Sequence, residues 1–153
     1  MTRLSPKQLQ TAVANGSQVI EYDKPVVATA VIKRIPMAPF GKERPRVTAN
    51  GTYMPRDYER KRKLLRWQFG EVPGGLVHLS VTAVRQMPKD WSKVKRERMR
   101  GRYAAPEPDT DNILGAVMDS LWERDNAVIS VFCEKVWGDK PELVIEVAPV
   151  QED

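Results

Sequence analysis

The chain of 153 residues holds one cysteine, Cys133, and one histidine, His78. A single thiol excludes a disulfide within the chain and suits a reducing compartment. One cysteine and one histidine also exclude a zinc cluster of the usual His/Cys kind. No apolar run approaches the roughly 18 residues of a membrane span. The opening residues, MTRLSPKQLQ, lack the apolar centre of a secretory signal. The expectation is a cytoplasmic protein with no membrane part. Its length fits one domain and one core.

What is present is charge, unevenly spread. From Gly41 to Arg66 there are nine Lys or Arg against three acids, and from Arg85 to Arg102 eight against two. Glu107 to Glu123 carries five acids and no base. A basic surface around an acidic centre suits a polyanion that is held and then cut at a metal.

Along the chain, residues 4–16 read as a capped helix. Ser5 and Gln8 make a capping box, Pro6 takes the first helical position, and Asn15-Gly16 stops it. Residues 26–32 (VVATAVI) read as a buried strand. Residues 36–57 are too rich in proline and glycine for a central strand and read as a loop or loose hairpin. Residues 57–69 suit a helix with Tyr58, Leu64, Leu65 and Phe69 as its apolar stripe. Residues 76–83 alternate, with Val77, Leu79, Val81 and Ala83 on one face and His78, Ser80 and Thr82 on the wet one. His78 has no Ser, Cys or ligand motif beside it and reads as a surface residue. Residues 89–102 form a basic segment with helical potential. Residues 111–122 give the clearest helix, through Ile113, Leu114, Val117, Met118, Leu121 and Trp122. Residues 128–137 and 142–147 read as strands joined in a hairpin through Gly138-Asp139-Lys140-Pro141. Cys133 falls in the first of them, facing with Ile129 and Val131, as an inert thiol. The fold class expected is α+β: a single small domain, with a mixed sheet and helices packed mainly on one face.

The chemistry is concentrated in PEPDTDN (106–112) and ERDN (123–126). Asp109 and Asp111 stand two apart at a loop-to-helix junction, and an extended stretch puts such a pair on one face, where both can point at one ion. Asp125 follows the helix and joins the pair only if the chain folds back. Carboxylates alone suit Mg2+ or Mn2+, hard cations that keep sites for water and phosphate. Helix capping explains Asp-x-Asp equally well, because Asp favours the positive end of a helix dipole. The residues by themselves leave both readings open.

PDTDNILGAVMDSLW followed by ERDNAVI, with GKERPRV (41–47) and TYMP (52–55) upstream, resembles the RusA family of Holliday junction resolvases. The likeness covers roughly residues 26–148. It leaves 1–25 as an N-terminal extension and 149–153 as a tail. The resemblance implies a homodimer that binds branched DNA, a four-way junction, and nicks two strands symmetrically with Mg2+ or Mn2+. It assigns metal binding and catalysis to Asp109, Asp111 and Asp125. Asn112 matches the Asn after the pair, and Asp119 matches a further acid in the helix that supports the site. Two positions depart from the family pattern. Gly115 stands where members carry a lysine one turn beyond the second Asp, and Glu107 stands where many carry a base. Arg124, a base from residues 42–46, or nothing replaces the lysine. A mid-helix glycine costs about 1 kcal/mol relative to Ala, which points to close packing at Gly115. A junction-binding protein without nuclease activity is the alternative reading.

For DNA, Lys42, Arg44 and Arg46 on the proline-rich loop are the first candidates, and Arg56, Arg60, Lys61 and Lys63 the second. Phe40 and Tyr53 flank the loop and suit either stacking on exposed bases or packing on the core.

Overall fold

The computed structural model describes residues 29–150. The capped helix at 4–16 and the first residues of the expected strand, 26–28, lie outside them. The chain forms β1 (Val31–Ile35), β2 (Arg46–Thr48), β3 (Gly51–Tyr53), α1 (Arg56–Phe69), β4 (Val77–Gln86), α2 (Lys93–Met99), α3 (Thr110–Leu121), a 3-10 turn (Asp125–Ala127), β5 (Val128–Gly138) and β6 (Glu142–Pro149). Four strands make one mixed sheet in the order β1-β6-β4-β5, and β2 and β3 make a small hairpin of their own.

Alternation in the central strands decides which face is covered. On β4, Val77, Leu79, Val81 and Ala83 are buried, and on β6 so are Leu143, Ile145 and Val147. The register sets Leu79 beside Val147, Val81 beside Ile145, and Ala83 beside Leu143, so these residues form one apolar layer. Onto it pack Leu65 and Phe69 of α1 and Ile113, Val117 and Leu121 of α3. Each such fully buried side chain contributes about 1.5–3 kcal/mol. The fold is α+β with the helices on one face, as expected.

Three local readings need correction. The first strand begins at Val31 and runs on to Ile35. It is not buried: it forms an edge of the sheet, with Ile32 60% exposed and only Ile35 in the core. On α1 the buried residues are Tyr58, Leu65 and Phe69, while Leu64 is half-exposed, because the helix turns Leu64 past the sheet. β5 and β6 are not a hairpin. β4 lies between them, parallel to β5 and antiparallel to β6. The link from Gly138 to Pro141 crosses the end of β4, where Met87 N–H donates to the Gly138 carbonyl at 3.0 Å. Two strand spacings are only about 9.6 Å, short enough for that link to bridge. In β5, Val77 pairs with Val128 and His78 with Ser130, so the register shifts at Ile129, while Val131 and Cys133 pair regularly with Leu79 and Val81.

A second, smaller cluster closes the far end of β4 and β5. Met87, Ala104 and Trp137 are buried there, with Trp91 edge-on to Trp137 at 4.9 Å between ring centroids. Ser92 caps α2, its hydroxyl accepting from Lys95 N–H at 3.2 Å. This cluster leads the chain back toward the sheet and into the acidic segment.

Candidate active site

The acidic segment is held by its backbone. Lys135 Nζ donates to the carbonyls of Ala105 and Pro106, each at 3.1 Å, and the Arg85 guanidinium donates to the Glu107 carbonyl. Both cations belong to the sheet, so they tie the chain just before Asp109 to the rigid part of the molecule.

Helix α3 starts at Thr110, with Asp109 in the extended N-cap position. The Ile113 N–H donates to the Asp109 main-chain carbonyl at 3.0 Å, but the Asp109 side chain makes no capping hydrogen bond. Capping therefore does not account for this carboxylate. It lines a cleft of about 410 Å3 between α3 and the loop before β2. Glu43, Asp57, Tyr58, Lys61, Glu107 and Asn112 are among its other walls. Four carboxylates thus face one opening. Lys61 and Arg60 both pair with Asp57, at 3.1 and 2.6 Å, and the Arg60 contact is the larger cause holding the Asp57 carboxyl below the usual carboxylate range.

The sequence-based set is only partly brought together. Asp109 and Asn112 line the cleft. Asp111 is exposed and does not line it, because the helix begins between Asp109 and Asp111 and the two lose the common face of an extended pair. Asp125 is also exposed and opens the 3-10 turn that leads into β5. Among the described residues no three His, Cys, Asp or Glu side chains stand close enough to hold a metal ion.

Asp119 is a hub. Its Oδ2 accepts from the Tyr58 hydroxyl at 2.8 Å, its Oδ1 lies 3.5 Å from Lys42 Nζ, and its carbonyl accepts from Arg62 at 2.9 Å. Burial first, and the Asp119 carboxylate second, raise the Tyr58 hydroxyl above the ordinary tyrosine range.

Of the basic candidates, Arg60 and Lys61 are engaged with Asp57, and Lys42 with Asp119. Arg44, Arg46, Arg56 and Lys63 are exposed and make no ion pair among the described residues. Phe40 resolves to packing: it is 6% exposed and meets Tyr58 edge-on at 6.0 Å, whereas Tyr53 stays half-exposed. Sequence reading missed Glu43 and Asp57 as walls of the cleft. Both lie in basic stretches where an acid looks like a charge partner, and only the fold sets them opposite Asp109.

Curated proteins give no match to the chain. The model of a protein family described as endodeoxyribonuclease RusA matches residues 36–148, from the loop before the small hairpin through nearly all of β6. That span contains the cleft, both acidic motifs and every strand except β1, so the chain belongs to the RusA family of endodeoxyribonucleases.

Proposed function

We propose that the protein is a divalent-metal-dependent resolvase that binds four-way DNA junctions as a homodimer and cuts them by paired symmetric nicks. The observation that carries this reading is Asp109: an N-cap carboxylate that caps nothing and opens onto an acidic cleft inside a nuclease-family span. The family implies Holliday junction cleavage. The finer points, Mg2+ or Mn2+ and a two-fold assembly, are part of the proposal.

The donors fit such a metal in kind. Asp109, Asp111 and Asp125 offer oxygen only, and Mg2+ is usually bound by one or two carboxylates together with substrate phosphate and water. Asp109 would hold the ion at the cleft, and Asp111 and Asp125, which the structure leaves outside the cleft, would be the further donors. When bound, the ion supplies charge stabilisation at the phosphate and an activated nucleophile. The chain's own residues do the rest. Asn112 lines the cleft beside Asp109, and its carbonyl accepts from the Lys42 N–H. Arg44, Arg46, Arg56 and Lys63 hold phosphates of the arms, a contact that positions DNA without reading its sequence. Arg85 and Lys135 fix the segment that presents Asp109. A single thiol and an activity on DNA fit a cytoplasmic enzyme.

The test is to measure binding and cleavage separately. Asp109→Asn, Asp111→Asn and Asp125→Asn are each expected to abolish cleavage of a four-way junction in Mg2+ while retaining gel-shift affinity. Cleavage that survives in all three would overturn the assignment.

A further inference from the structure

Asn112, Gly115 and Asp119 fall at helical spacing on one face of α3, and Asp111 stands one turn before Gly115. That face has a gap in its middle. A Cβ placed on Gly115 would stand 3.0 Å from Lys42 Cδ and 3.3 Å from Lys42 Cβ. The gap is filled by the stem of a lysine from the loop before β2. Lys42 is fixed at both ends of its course: its N–H donates to the Asn112 carbonyl at 2.9 Å, and its ammonium lies 3.5 Å from Asp119 Oδ1. Asp119 is in turn held by Tyr58 and Arg62. Helix α3 itself (TDNILGAVMDSL) contains no Lys or Arg.

We infer that Lys42 is a catalytic residue of the cleavage site, and that Gly115 is its groove. The glycine leaves room for Lys42 to cross α3 and bring an ammonium to the face that bears Asn112 and adjoins Asp111. The Lys42 side chain is 49% exposed and its Asp119 partner 30%. Such a solvent-screened pair is weak, so an arriving phosphate can take the ammonium from it. Gly115 lies four residues from both Asp119 and Asp111, a rise of about 6 Å either way, which a lysine spans by side-chain rotation alone. The backbone stays tied to Asn112 while the ammonium moves from Asp119 to the phosphate. Asp119, with Tyr58 and Arg62 behind it, is the resting partner that positions Lys42. This inference rests on the nuclease reading above.

The experiment compares wild type, Lys42→Met, Gly115→Ala and the double variant Lys42→Ala/Gly115→Lys. The readouts are single-turnover cleavage of a four-way junction in Mg2+, gel-shift affinity in EDTA, and Tm. Lys42→Met is expected to slow cleavage at least about tenfold, with junction affinity changed much less. Gly115→Ala is expected to slow cleavage as well, although alanine is the better helix former, because its methyl displaces the Lys42 stem. The double variant, which returns a lysine from α3, is expected to recover cleavage relative to Lys42→Met. Full-rate cleavage by Lys42→Met would overturn the inference. So would a loss that follows affinity or Tm and is not recovered by the double variant. A wild type that leaves the junction intact would instead overturn the nuclease reading, and this inference with it.

Discussion

Asp109 and Tyr58 show what single side chains contribute. Asp109 was legible as an acid at a helix start, but the sequence could not distinguish a cap from a ligand. The structure shows no capping bond from its side chain and sets it on the cleft, which is what supports the proposed ligand role. Asp119 was legible only as a further acid in the helix; its three contacts come from α1 and the preceding loop, distant in sequence. Tyr58→Phe removes the bond to Asp119 and is expected to cost about 1–2 kcal/mol, the range for a hydrogen bond to a charged group that keeps some water. It should also change the alkaline limb of stability. The Tyr58 hydroxyl is raised in the fold, so its contribution is intact below the ordinary tyrosine value and is lost as pH rises past it. Urea denaturation of wild type should therefore fall more steeply above about pH 10 than that of Tyr58→Phe. Cys133 behaves in the same sense: burial pushes its thiol up to about 11. Alkylation at pH 8 should be slow in the folded protein and fast in urea, since the thiolate is the reactive form.

At the scale of elements, alternation was a sound guide and proximity in sequence was not. Val77, Leu79, Val81 and Ala83 read as one buried face and are one. The turn Gly138-Asp139-Lys140-Pro141 read as a hairpin and instead steps over β4, because strand order is set by pairing between distant segments that turn chemistry does not report. Gly138 sits at that step. A Cβ there would come within 2.4 Å of Val84 Cγ1, on a stiff β-branched side chain. Gly138→Ala is expected to destabilise the protein by about 1–3 kcal/mol, as overpacking does; an unchanged Tm would refute the close approach. β1 was misread for a related reason: an apolar run such as VVATAVI does not reveal whether its strand is central or at an edge.

The whole molecule is a charge arrangement as much as a fold. Of the two basic stretches, residues 41–66 contribute Lys61 to the wall of the acidic cleft, and the fold sorts the cations into two kinds. Arg60, Lys61, Arg85, Lys135 and Lys42 are bound to acids or carbonyls, while Arg44, Arg46, Arg56 and Lys63 are exposed without an ion pair among the described residues. Only the second kind should contribute full counterion release. Arg44→Gln and Arg46→Gln are each expected to weaken junction binding and to reduce the slope of log K against log salt by about 1, whereas Arg60→Gln should change the slope less. Equal slopes for all three would contradict this sorting.

The most direct test of the central claim is to map the nicks that wild-type protein makes in a four-way junction, strand by strand, with a linear duplex of the same sequence alongside. Nicks at symmetric positions in two opposed strands, dependent on Mg2+ or Mn2+ and absent from the linear duplex, are the predicted result. Cleavage of the linear duplex as readily as the junction, or an intact junction in either metal, would contradict the account.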